Sequence, residues 1–106
     1  MQLNYDLLLG EITTKYGATS HSSAKVALAY DCIYYAQEWF DNPKGYPIVD
    51  GKSPKYIRRD LRRYVKNRVR LNRYRSKYGY IPSFIWWFIA KAVINWIVNR
   101  IIDHYL

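Results

Sequence analysis

Metal-binding and redox-active side chains are scarce in this chain of 106 residues, which has one cysteine and two histidines. The single cysteine, Cys32, cannot form a disulfide within the chain, which weakly favours a reducing compartment. It lies in an apolar stretch and is predicted to be a small buried hydrophobic side chain. His21 and His104 are far apart in sequence and lack ligand-type neighbours, so no metal site is predicted.

Catalytic motifs are missing as well. The five glycines are scattered and form neither a P-loop nor a dinucleotide-binding GxGxxG motif. Asp31 and Glu38 are seven residues apart, and no neighbouring residue suggests that either one acts as an acid or a base. The sequence therefore predicts no catalytic residue, no cofactor and a protein that is not an enzyme.

The N-terminal residues give no sign of a secretory signal, because no basic segment is followed by an apolar stretch. The expected location is the cytoplasm or a virion.

Acidic residues are few, and the basic residues are concentrated in one segment. The whole chain has a net charge of +9. The segment from Pro54 to Tyr78 contains eleven basic residues and one acid, Asp60, and so carries +10. The remainder, with six basic and seven acidic residues, carries −1. Outside this segment the protein is almost neutral, which favours a partner that is a large anion.

The hydrophobic pattern predicts an all-α protein, a small bundle of about four helices in one domain over residues 1–106. The predicted helices span about residues 5–16, 22–40, 54–78 and 83–105. Proline and glycine residues predict one long loop over residues 41–53. We expect the last helix to pack on the apolar sides of the second and third helices.

Capping residues support these bounds. Asn4 is a suitable N-cap for the first helix, and Gly17 stands where a glycine often ends a helix. Ser22 or Ser23 can cap the second helix, and Pro54 is typical of a first helical position.

The third helix is predicted to carry a cationic stripe. Seven basic side chains fall within an arc of roughly 100° when successive residues are placed 100° apart. They are Arg59, Arg62, Arg63, Lys66, Arg70, Arg73 and Lys77. Like charges at this spacing repel each other, and a phosphate-rich partner would relieve the repulsion. These seven residues are therefore the predicted nucleic-acid-binding residues.

Two arginines of the same helix, Arg68 and Arg75, fall on the opposite, apolar side. The apolar side is predicted to consist of Ile57, Leu61, Tyr64, Val65, Leu71 and Tyr78. An arginine on this side needs an acidic partner. We expect the two arginines to form structural salt bridges, with candidate partners Glu11, Asp31, Glu38 and Asp103.

The last helix is apolar over most of its circumference. Its polar residues, Lys91, Asn95, Asn99 and Asp103, recur every four residues as one narrow stripe. A chain of this size does not readily cover so much apolar surface, which predicts contact with a second copy or a larger assembly. The predicted interface residues are Trp86, Trp87, Trp96, Ile97 and Ile101.

The sequence is compatible with three functions. The first is a non-enzymatic protein that contacts DNA or RNA phosphates without strong sequence specificity, within an oligomer or nucleoprotein assembly. The second is a structural subunit of a multi-protein assembly such as a phage virion, with the stripe docked on acidic neighbouring subunits. The third is a membrane-associated protein that uses the tryptophan-rich helix; a full span is disfavoured by the polar residues within that helix.

Overall fold

Four α-helices make up most of the computed structural model, which describes residues 2–41, 54–72 and 81–105. They are α1 (Tyr5–Tyr16), α2 (Ser22–Phe40), α3 (Pro54–Asn72) and α4 (Ser83–Tyr105). These ranges contain no β-strand, so the predicted all-α class is confirmed. The predicted continuation of the third helix over residues 73–78 lies outside the described residues, and so do residues 42–53 of the predicted loop 41–53.

The start of α1 is fixed as the sequence predicts. The side chain of Asn4 accepts a hydrogen bond from the backbone N–H of Leu7 at 3.1 Å. The backbone N–H of Asn4 donates to the hydroxyl of Tyr105 at 2.7 Å, and that of Leu3 donates to Gln37 Oε1 at 2.8 Å. These long-range bonds tie the N-terminal segment to both α2 and α4.

The turn between α1 and α2 differs from the prediction. Gly17 lies in the right-handed region at φ −60°, and its N–H donates to the carbonyl of Thr13 at 2.8 Å. The left-handed residue is instead His21, at φ 56°, which occupies the N-cap position of α2 without a side-chain capping bond. Ser22 is already the first helical residue. The strain of a non-glycine residue in this region is therefore placed at His21.

One hydrophobic core joins all four helices. α4 contacts both α2 and α3, as predicted, and α1 packs mainly on α2. The side chains that are almost completely enclosed include Leu28 and Ile33 of α2, Leu61 of α3 and Ile97 of α4. Cys32 is also fully buried, as predicted, and burial raises the pKa of its thiol well above the ordinary value.

The buried side of α3 follows a line of residues spaced four apart. Its members are Ile57, Leu61, Val65 and Val69. Since four residues turn an α-helix by 400°, this line drifts around the helix by about 40° at each step. The drift explains why Leu71, predicted on the apolar side, is 73% exposed, whereas Val69 is buried.

α4 packs against all three other helices, most extensively against α2 and α3. Nine of its apolar side chains are buried, and its predicted polar stripe from Lys91 to Asp103 is exposed. The same exposed line continues toward the start of the helix as Phe84 and Phe88. In the part of the chain that the structure describes, α4 alone is long and apolar enough to cross a membrane, and half of that stretch is buried inside the protein.

Candidate nucleic-acid interface

The side of α3 that faces away from the core carries the cationic stripe. Arg59, Arg63 and Arg70 are exposed, and Arg62 and Lys66 are half-buried. The other two predicted members, Arg73 and Lys77, lie outside the described residues. The amphipathic pattern places the five described members on one continuous surface, because the line from Ile57 to Val69 is anchored in the core.

Carboxylates of the described residues neutralise little of this charge. Arg59 Nε lies 3.6 Å from Asp60 Oδ1, and the Arg59 guanidinium sits 4.9 Å from the centre of the Tyr56 ring. Across residues 2–41, 54–72 and 81–105, the remaining stripe members form no ion pair with a carboxylate. Among the described residues, the stripe therefore presents mostly unpaired cations over about three helical turns.

Two further cations extend the surface beyond the predicted set. Lys55 and Arg58, together with Tyr56, Arg59 and Arg62, line a concave patch at the beginning of α3. The positions 55, 58, 59 and 62 have the spacing of one helical face. This spacing is visible in the sequence, but the predicted stripe begins at Arg59 and therefore does not include Lys55 and Arg58.

Arg68 belongs to the packing of α3 against α2, as predicted. Its Nε lies 3.3 Å from Glu38 Oε2, and its guanidinium sits 5.3 Å from the ring centre of Tyr35. The bridge joins residues 30 positions apart and links the side chains of α3 and α2. Arg75, predicted to act in the same way, lies outside the described residues.

The residues predicted to form an interface on α4 divide into two groups. Trp86, Ile97 and Ile101 are buried in the core of the same chain, where the fold itself encloses them. Trp87 and Trp96 are half-buried.

Trp87 lies at the contact between α3 and α4. The guanidinium of Arg70 is 5.0 Å from its ring centre, and the Lys91 ammonium is 5.8 Å from it. The ring thus connects the cationic stripe to the exposed line of α4.

A separate cleft between α1 and α4 includes Trp96. Leu7, Gly10 and Thr14 line one wall, and Trp96 and Arg100 line the other. Leu7 is 45% exposed although it is apolar. A Cβ on Gly10 would meet no atom of another part of the chain within 4 Å, so this position faces open space at the cleft.

Next to this cleft lies an ionic cluster that the sequence did not predict. Arg100 Nε donates to Glu11 Oε2 at 2.7 Å, and His104 Nε2 lies 2.6 Å from Glu11 Oε1. The hydrogen bond from Arg100 is the main cause of a lowered pKa at Glu11. Since the partners are about 90 residues apart in sequence, only the packing of α1 on α4 brings them together.

The cluster predicts a pH-dependent contribution to stability. A carboxylate with a lowered pKa stabilises the fold at pH values above its ordinary pKa, and this contribution disappears as pH falls through the lowered value. Glu11→Gln is therefore expected to lower the melting temperature more at pH 7 than at about pH 3, measured by circular dichroism. An equal difference at both pH values would contradict this interpretation. Asp6→Asn, which removes an exposed carboxylate of the same helix, is the control.

No group of His, Cys, Asp and Glu residues in the described ranges could hold a metal ion. No protein-family model, curated protein or solved structure is significantly similar to the chain.

Proposed function

We propose that the protein is a non-enzymatic nucleic-acid-binding protein that contacts phosphates through the cationic stripe of α3, without strong sequence specificity. The observation that carries the proposal is the position of five stripe cations on the side of α3 that faces away from the core, three of them exposed, in a chain that is almost neutral outside residues 54–78. Four of the five are arginines, whose planar guanidinium groups can form two parallel hydrogen bonds with a phosphate. Lys55 and Arg58 add to the same surface.

The energetics of α3 support an external partner. Neighbouring cations on a helix face destabilise the helix, and the acidic residues of the chain are mostly placed elsewhere. Binding to a phosphate backbone would relieve this repulsion and release condensed counterions from the nucleic acid.

Binding across a salt series tests the proposal. The intact chain is titrated into labelled oligonucleotides of unrelated sequence, and the anisotropy of the label is followed. Five phosphate contacts to a duplex predict a slope of log K against log [salt] of about −4.5. A shallow slope, or no binding in low salt, would contradict the proposal. A strong preference for one sequence would contradict the absence of specificity.

A structural subunit of a larger assembly is the second candidate. It is favoured by the cleft between α1 and α4, where Leu7 and Trp96 leave apolar surface in contact with solvent. An apolar patch with a half-buried tryptophan is typical of a protein–protein contact. In this case the stripe would dock on acidic neighbouring subunits.

This candidate predicts association through the cleft. Leu7→Glu is expected to convert an oligomer into monomers in sedimentation velocity, because it places a charge in the apolar contact. Asn95→Glu introduces the same charge at an exposed position of α4 outside the cleft and serves as the control. Leu7 suits this test better than Trp96, whose ring packs edge-on against Tyr16 within the chain. If the unmodified protein stays monomeric even at high concentration, this result would count against the candidate.

A further inference from the structure

The cationic stripe does not end on α3. Arg70, its last described member, is in contact with the ring of Trp87, and Lys91 lies beside the same ring. Trp87 and Lys91 are one turn apart on α4. The tryptophan therefore holds a cation from each helix and makes one positive surface across the junction.

Two phenylalanine rings border this junction. Phe84 and Phe88 are each 77% exposed, the highest exposure of any large apolar side chain in the described ranges. Phe84 lies one turn before Trp87 and two turns before Lys91, so it shares their side of α4. The step from Phe84 to Phe88 is a rise of about 6 Å along the helix axis.

An exposed aromatic side chain also stands at the opposite end of the stripe. Tyr56 is 51% exposed, and the guanidinium of Arg59 lies over its ring. Tyr56 and Arg70 are separated by about 21 Å along α3. Exposed rings thus flank the cations at both ends.

This combination suits a nucleic acid whose bases are accessible. Proteins that hold single strands place cations along the backbone and stack bases on exposed aromatic rings. A duplex hides the faces of its bases, so it would leave the phenylalanine rings against phosphates or water. We propose that the partner is single-stranded nucleic acid, with its backbone along the stripe and bases stacked on Phe84 and Phe88. This inference rests on the proposed function.

The charge around the phenylalanine pair argues against a second copy of the chain as its occupant. A symmetric contact through this patch would bring the Arg70 and Lys91 residues of both copies together. A polyanion in the same position gains from these charges instead of being opposed by them.

The test compares a single strand with a duplex of the same sequence, using the intact chain at one moderate salt concentration. We expect the single strand to bind at least about ten-fold more tightly. The double variant Phe84→Ala/Phe88→Ala should lower single-strand affinity by at least about five-fold for each ring and leave duplex affinity unchanged. Phe84→Tyr/Phe88→Tyr keeps the rings and should retain binding.

Two control variants separate stacking from general effects. Tyr30→Ala removes another partly exposed ring, at the contact of α1 and α2, and should change neither affinity. Phe84→Leu/Phe88→Leu keeps apolar side chains without a π-face and should lose the single-strand preference. Retained preference in the leucine variant would overturn base stacking.

The remaining outcomes distinguish this inference from the proposed function. Equal affinity for single strand and duplex, with a steep salt dependence, would overturn the inference and leave phosphate binding in place. If the protein binds neither the single strand nor the duplex, both the inference and the proposed function are wrong. The inference also fails if Phe84→Ala/Phe88→Ala still binds the single strand normally but no longer sediments with vesicles of anionic phospholipid. The inference fails as well if this double variant still binds the single strand normally but no longer self-associates.

Discussion

Reversing Arg62, Arg63, Lys66 and Arg70 to glutamate is expected to abolish nucleic-acid binding while α3 remains helical. None of these four side chains belongs to the buried line from Ile57 to Val69, so the replacements keep the apolar residues through which α3 joins the core. The four changes lower the net charge of the chain by eight, from +9 to +1. Binding is measured by anisotropy, and helicity by circular dichroism.

The loss of nucleic-acid affinity should depend on where the reversed charges lie and not on the net charge of the chain. Arg63→Glu/Lys66→Glu and Lys15→Glu/Lys25→Glu change the net charge equally, but only the first pair lies on the stripe. We expect the first pair to reduce the magnitude of the salt slope and to weaken binding by at least about ten-fold, since two phosphate contacts are lost. The second pair should retain near-normal binding. Equal losses in both variants would show that net charge alone attracts the nucleic acid.

A third comparison uses arginines of the same helix. Arg70→Gln removes an exposed cation, whereas Arg68→Gln removes one that bridges α3 to Glu38. Arg70→Gln should weaken binding more than Arg68→Gln does, and Arg68→Gln should lower stability more than Arg70→Gln does. This contrast follows from the face on which each residue lies.

The sequence predicted α3 well because its two faces differ so strongly in chemistry. Charged residues and apolar residues alternate with helical spacing, which indicates both the helix and the side that meets solvent. The separate role of Arg68 followed from the same spacing. The exposure of Leu71 was not predicted, because the line of buried residues drifts around α3 along its contacts with α2 and α4.

The apolar helix α4 was harder to interpret. A helix that is apolar nearly all round can be enclosed by its own chain, by a second chain or by lipid, and its sequence does not distinguish these cases. In the fold, Ile97 and Ile101 are enclosed by the other helices, while the exposed apolar residues are Phe84 and Phe88. Their position beside the cationic stripe depends on the packing of α3 against α4.

Contacts between distant parts of the chain were also beyond sequence reasoning. Glu11 meets Arg100 and His104 only because α1 lies along the end of α4. The left-handed conformation of His21 has no clear sequence signal, because glycine or asparagine is the usual choice there.

Ile97→Ala is expected to destabilise the chain by about 2–5 kcal/mol, the usual range for truncating a buried isoleucine. Ile97 is completely enclosed within the chain, and the loss is large against the roughly 5–15 kcal/mol that stabilises a whole domain. Urea unfolding followed by circular dichroism measures the effect, with Asn95→Ala on the exposed side of α4 as the control. If the isoleucine belongs to the core of one chain, its contribution is intramolecular, and the difference in free energy of unfolding between the unmodified protein and Ile97→Ala should not depend on protein concentration. A difference that grows with concentration would instead place Ile97 in a contact between chains, because association stabilises the folded state by mass action.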